Sequence, residues 1–170
     1  MNTVLFLTLR VVHVLLAAIW VGATVFTSLL LMPAVQDAGP AGGQVMISLN
    51  RKGITAFFGA MGGITLLTGI YLYWHFTGFD PEISRSRAGM AFGVGGVAGL
   101  LGTIIGGSVV GRSANKLVGV MERAAKASDA QKATIMQEGA VLRQRMTTFG
   151  TLVLVLQFVA LILMAVGHYI

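Results

Sequence analysis

The chain has 170 residues, of which 55% are hydrophobic and only 11% are charged. Soluble domains carry about 25% charged residues, so this composition predicts that much of the surface faces lipid. The chain contains no cysteine, which excludes a disulfide framework, a thiolate metal site and a cysteine nucleophile. The net charge of +6 comes from basic residues beside apolar stretches rather than from a dense basic patch. That distribution argues against nucleic acid as a partner.

Four apolar stretches are long enough for a transmembrane helix, which needs about 20 residues. They run over residues 4–32, 53–76, 88–110 and 147–170. Pro33 is expected to end the first stretch. Residues 33–52 are rich in proline and glycine, and we expect a loop there with one short interfacial helix from Gln44 onward. The predicted fold class is all-α, a four-helix bundle in one domain with the lipid bilayer as its solvent.

Apolar residues recur at helical spacing in the segment 111–146, between the third and fourth stretches. They are Leu117, Val118, Met121 and Ala125 in one set and Ile135, Met136, Val141 and Leu142 in the other. Ser128 with Gln131 has the pattern of a capping box that begins a helix. We therefore expect spans three and four to continue as a helical hairpin. It serves either as a connector whose apolar stripes pack on each other or as a docking surface for another subunit.

The basic residues are divided unequally between the two sides of the bundle. Nine Lys and Arg residues follow spans one and three, whereas the loop between spans two and three carries only Arg85 and Arg87. Cytoplasmic segments are enriched in Lys and Arg. The hairpin is therefore predicted to be cytoplasmic, and both termini to lie on the outer side of a cell inner membrane.

Glycine recurs in spans two and three at a spacing of four residues. The pairs are Gly59/Gly63, Gly89/Gly93, Gly95/Gly99 and Gly102/Gly106. Small residues at this spacing allow helix backbones to approach closely in lipid. This predicts packing within the bundle or against partner subunits. The alternative is that a glycine face leaves a slot for a flat cofactor such as haem or a quinone.

All three histidines fall on the side predicted to be outside. His13 lies in span one, three residues after Arg10 and on the same helical face. His75 and His168 lie at the ends of spans two and four. Ionisable residues within a membrane are costly and are candidates for function. No Asp or Glu lies within a span, which argues against an ion-coupled transporter.

Two cofactor chemistries suit these residues. Haem b takes axial histidine or methionine ligands, and the candidates are His13 and His75, with Arg10 as a charge partner. Copper takes imidazole nitrogen and, as Cu(I), thioether sulfur. The candidate copper ligands are His13, His75, His168, Met90 and Met164.

Two stretches resemble known membrane proteins. Residues 10–22, RVVHVLLAAIWVG, resemble the first helix of the copper-resistance-D-type (CopD-like) proteins, and residues 66–73, LLTGIYLY, resemble the second helix of small four-helix relatives. This resemblance implies a polytopic inner-membrane protein in copper handling. The first span is also similar to that of the HemJ-like protoporphyrinogen oxidases, which implies a haem b protein with His13 as a ligand. Span three contains no lysine to match the third-helix lysine of that family.

Three functional hypotheses follow. The first is a membrane protein that binds haem b or a metal near its outer face and serves electron transfer, alone or as a subunit of a redox complex. The second is copper uptake or handling. The third is a cofactor-free accessory subunit, in which His75 and His168 belong to the interfacial aromatic belt. Each hypothesis describes a binding or accessory protein, and an enzyme that acts on its own is the less favoured interpretation.

Overall fold

The computed structural model describes residues 3–170, excluding the side chain of Asp129, and these residues form helices with no strand. The helices are α1 (Thr3–Asp37), α2 (Gly39–Arg51), α3 (Ile54–Thr77), α4 (Pro81–Arg85), α5 (Arg87–Lys126) and α6 (Asp129–Val166). The predicted all-α fold class is confirmed. Helices α1, α3, α5 and α6 are long and apolar enough to cross a membrane, and the chain is a membrane protein.

Large apolar side chains point outward from all four long helices. Val11, Leu67, Val97 and Ile162 are each more than half exposed. Monomeric soluble proteins rarely expose so continuous an apolar surface to water. Contact with lipid tails carries no such cost. Within the bundle α1 packs mainly along α3, and α5 packs mainly along α6.

The first span does not end at Pro33, because the helix widens just before the proline. Residues Thr27–Leu31 form a π-helical turn, after which the backbone N–H of Met32 donates to the carbonyl of Thr27. Pro33 then lies in the first turn of the renewed α-helix, where a missing N–H and a fixed φ cost little. Helix α1 therefore continues to Asp37.

The prediction of a loop over residues 33–52 is wrong for most of that segment, because the chain is helical up to Asp37 and again from Gly39 to Arg51. The expected short helix exists as α2, but it begins at Gly39 rather than at Gln44. Gly39 has a φ of +53°, a left-handed conformation that glycine adopts without strain, and it begins α2 after the break from α1 at Ala38. Pro40 follows in the first turn of α2, where proline is favoured.

Spans three and four continue as the predicted hairpin. Helix α5 extends through a π-helical turn at Gly106–Gly111 and ends at Lys126. Ser128 and Gln131 form the expected capping box at the start of α6. Helix α6 ends at Val166 rather than at residue 170, and the short helix α4 between spans two and three was not predicted.

The two arms of the hairpin meet along an apolar seam. Its buried residues are Leu117, Val120, Leu142 and Met146. The interpretation that the apolar stripes pack on each other is confirmed for this seam. Met136 and Val141, however, are 62% and 49% exposed. Each is next in sequence to an inward-facing residue, so each lies about 100° around the helix from it.

The glycines of α5 explain how closely α5 and α6 approach. A Cβ at Gly95 would lie 3.4 Å from the carbonyl oxygen of Ala160, and one at Gly102 would lie 3.8 Å from the Cβ of Leu156. The packing interpretation therefore holds for these two glycines. At Gly99 an added Cβ would meet nothing within 4 Å, so the predicted pair Gly95/Gly99 does not act as a unit.

Candidate functional site

His13 lies half-buried between α1 and α3, where α3 supplies its hydrogen-bond partners. Its Nδ1 atom is 2.9 Å from the carbonyl oxygen of Thr65 and 3.1 Å from the Oγ1 atom of Thr68. A carbonyl oxygen only accepts hydrogen bonds, so Nδ1 carries the proton and Nε2 keeps its lone pair. The Thr68 hydroxyl donates to the carbonyl of Ile64 at 2.8 Å, which leaves its oxygen free to accept from His13.

Gly69 provides the space for the imidazole ring. A Cβ at this position would lie 2.9 Å from Cε1 and 3.4 Å from Nδ1 of His13, so any larger residue would displace the ring. Thr65, Thr68 and Gly69 are spaced by three and four residues and share one helical face. One face of α3 therefore provides the carbonyl acceptor of Thr65, the hydroxyl oxygen of Thr68 and, at Gly69, the space for the ring of His13.

This arrangement of His13 is chemically useful. A histidine whose Nδ1–H bonds a backbone carbonyl is fixed in tautomer and orientation for ligation of a metal through Nε2. The same bond also ties α1 to α3, and interhelical hydrogen bonds in membrane proteins contribute about 0.6–1.7 kcal/mol. The geometry is suited both to a ligand and to a clamp between two helices.

Gln157 is a second candidate, and the sequence analysis missed it. Its side chain on α6 is 1% exposed, and neither its Oε1 nor its Nε2 has a hydrogen-bond partner among the described residues. The Oγ1 of Thr65, beside His13, is likewise buried without a partner there. Buried polar groups are normally paired, and an unpaired one costs about 1–3 kcal/mol.

Gln157 and the His13 site lie at a similar depth in the bundle. Gly102 of α5 lies against Leu156, and the neighbouring Thr103 lies against Gly62 of α3. Gln157 follows Leu156 by one residue, and Thr65 follows Gly62 by three. At 1.5 Å per residue, Gln157 and Thr65 are therefore within about one helical turn of the same level. The interior of the bundle thus contains a polar layer at this level.

Arg10 and His168 meet at the end of the bundle that carries both termini. The Nη2 atom of Arg10 is 3.2 Å from the Nε2 atom of His168. Arginine can only donate, so Nε2 of His168 accepts. The His168 ring also packs edge-on against Phe92, with 5.0 Å between the centroids. Arg10 therefore joins α1 to the end of the chain instead of contacting the ring of His13.

His75 lies nearer the terminal end than His13. Its ring packs edge-on against Phe6, with 4.5 Å between the centroids, and lies 6.3 Å from the ring of Tyr71. Phe6 precedes His13 by seven residues, which corresponds to about 10 Å along α1. The described arrangement therefore does not bring the two imidazoles to one metal atom.

The remaining copper candidates are dispersed. Met164 packs on α5, where its Cε would lie 3.3 Å from a Cβ at Gly95, and Met90 is 52% exposed. Within the described residues 3–170, no three His, Asp or Glu side chains form a group that could hold a metal ion. Of the predicted site residues, the structure pairs only Arg10 with His168 directly.

No protein-family model, no curated protein and no solved structure matches this chain. The geometry of the site is therefore the basis for a functional proposal.

Proposed function

We propose that this chain is a membrane redox protein that holds haem b through the Nε2 atom of His13. The observation that carries the proposal is the hydrogen bond from His13 Nδ1 to the carbonyl oxygen of Thr65. It leaves Nε2 as the only ring nitrogen with a lone pair and fixes the direction of that lone pair. The resemblance of residues 10–22 to helices of haem-binding and copper-handling membrane proteins agrees with this role.

The surrounding residues suit such a ligand. Gly69 leaves room for the ring of His13, and the Oγ1 atom of Thr68 is a second oxygen beside Nδ1 of His13. Arg10 lies one helical turn from His13 toward the terminal end, and its guanidinium is exposed, so it can neutralise carboxylates such as haem propionates. Haem b, when bound, supplies a one-electron couple whose potential depends on the axial ligand and on burial.

We further propose that the protein lies in an inner membrane with both termini outside. The support is the excess of basic residues at the hairpin end, where Arg112, Lys116, Arg123, Lys126 and Lys132 occur within one segment. His13 would then lie in the outer half of the membrane. A redox subunit in this orientation would exchange electrons with a partner subunit, for which the glycine-rich faces of spans two and three and the hairpin are the available surfaces.

The test is an absorption spectrum of the protein, purified after expression with haem available, in the oxidised and dithionite-reduced states. Wild type is expected to show a reduced-minus-oxidised haem b signature, and His13→Ala to lose it. His168→Ala and His75→Ala are the matched controls and are expected to keep the signature, since neither ring lies beside His13.

A colourless wild-type protein would refute the haem proposal. Elemental analysis of the same sample would then separate copper handling from a subunit without a cofactor. Retention of the signature in His13→Ala would show that haem binds elsewhere and would remove His13 from the site.

A further inference from the structure

A cavity of about 520 Å³ lies at the hairpin end of the bundle, among α1, α2, α5 and α6. Its apolar lining includes the methionine side chains Met32, Met46 and Met121, together with Leu117. These come from three different helices. Methionine is flexible and polarisable, so such a wall adapts to an apolar ligand of irregular shape.

Arg143 is the one charged residue that lines this cavity. Its side chain is half-buried, and its Nη1 would lie 3.6 Å from a Cβ at Gly139, one turn earlier on α6. The salt bridges among the described side chains join Arg51 to Glu122 and Arg123 to Glu138. No described carboxylate pairs with Arg143. A half-buried cation without an anion is costly, so the cavity has an electrostatic preference for an anionic ligand.

The depth of the cavity indicates which kind of anion it takes. Met32 and Thr147, which both line it, lie where the apolar stretches of spans one and four meet the polar segments. Leu29 and Leu30, just before Met32, are 59% and 62% exposed on the lipid-facing surface of α1. A ligand there would have its charge at the membrane interface and its apolar part beside Met32 and the exposed Leu29 and Leu30. Free phosphate has no apolar part, so it would not make favourable contacts with the methionine side chains that line the cavity.

We propose that this cavity binds the headgroup of an anionic phospholipid, with its phosphate on the guanidinium of Arg143 and its glycerol and upper acyl chain against Met32, where the apolar stretch of span one ends. Arginine binds phosphate through paired, charge-assisted hydrogen bonds. Binding at this position would join α1, α2 and α6 at the base of the hairpin. The site is independent of the His13 site, which lies deeper in the bundle.

The experiment is native mass spectrometry of the detergent-purified protein titrated with phosphatidylglycerol or phosphatidylcholine that carry the same acyl chains. The protein is expected to bind one phosphatidylglycerol about tenfold more tightly than phosphatidylcholine, and Arg143→Gln to abolish that preference. Arg145→Gln is the matched control, because Arg145 is exposed on the same helix and does not line the cavity. Arg143→Lys is expected to keep part of the preference.

Three results would overturn the proposal. One is equal loss of the preference in the two glutamine variants, which would indicate diffuse surface charge. Another is equal binding of the two lipids to wild type. The third is full displacement of phosphatidylglycerol by millimolar inorganic phosphate, which would make free phosphate the ligand. If Arg143→Gln unfolds, Ala140→Leu replaces it; this change narrows the cavity from α6, keeps the arginine and is expected to weaken phosphatidylglycerol binding.

Discussion

Replacing Gly69 by alanine tests whether the ring of His13 is held against α3 as described. The added Cβ would lie 2.9 Å from Cε1 of His13, whereas carbon atoms in contact are about 3.5–4.0 Å apart. The ring must therefore move by about 0.6 Å or more. Such a movement stretches the 2.9 Å hydrogen bond to the carbonyl oxygen of Thr65 to about 3.5 Å, where it is largely lost.

Two opposing effects set the change in the free energy of unfolding. Alanine is favoured over glycine within a helix by about 1 kcal/mol. Loss of an interhelical hydrogen bond in a membrane protein costs about 0.6–1.7 kcal/mol, and overpacking costs about 1–3 kcal/mol. We therefore expect Gly69→Ala to lower the free energy of unfolding by about 1–3 kcal/mol.

The assay is reversible unfolding in mixed micelles of mild detergent and dodecyl sulfate, followed by circular dichroism. Gly63→Ala is the matched control, because it lies on the same helix and a Cβ there would meet nothing within 4 Å. It is expected to be neutral or stabilising. Both substitutions are then repeated in a His13→Ala background, where the clash is absent and the two alanines should behave alike.

The outcome that refutes the reasoning is equality of the two alanine variants in the wild-type background. It would mean that the ring of His13 does not rest on Gly69. Destabilisation by Gly69→Ala that persists unchanged in the His13→Ala background would locate the clash elsewhere and would equally remove the described contact.

Three further predictions concern the rest of the bundle. Gln157→Leu is expected to raise the free energy of unfolding by about 1 kcal/mol, because it removes two buried unpaired groups; a fall in the same unfolding assay would indicate a bound partner for the amide. In the hairpin, Leu117→Ala is expected to lower the free energy of unfolding by about 2–5 kcal/mol, because Leu117 fills the seam. Glu138→Gln is expected to lower it by less than about 1 kcal/mol, because Glu138 forms an exposed ion pair with Arg123. Equal losses in the two variants would contradict this. The chain has no cysteine, so a single introduced cysteine reports on one position. Ser128→Cys should react with a membrane-impermeant maleimide only after cell lysis, whereas Glu82→Cys should react in intact spheroplasts. The reverse pattern would invert the proposed topology.

The long helices were predictable because length and apolarity alone define a span. The predicted second span, 53–76, differs by one residue at each end from α3. Errors arose where local geometry overrode a residue's usual effect. Pro33 normally stops a helix, but the preceding π-helical turn places it where a helix can begin again. Composition does not reveal such a turn.

The site was predictable only in part. His13 was identifiable because an ionisable residue in an apolar span has few structural reasons to be there. Its partner Thr65 lies 52 residues away, and their contact depends on the register between α1 and α3, which side-chain packing sets. Gln157 was overlooked because it carries no charge, although a single amide in an otherwise apolar run is itself a usable signal.

The polar layer formed by His13, Thr65 and Gln157 gives a reason to place the function inside the bundle rather than at its end. Arg10 and His168 contact each other at 3.2 Å, and both are exposed at the end of the bundle. Gln157 is not satisfied by any described residue, and an apolar side chain there would cost less. A costly amide at the depth of an oriented imidazole supports the proposal that the function lies at that level. If so, Gln157→Leu should stabilise the fold and also shift the spectrum of bound haem, and a stabilised variant with an unchanged spectrum would separate the amide from the His13 site.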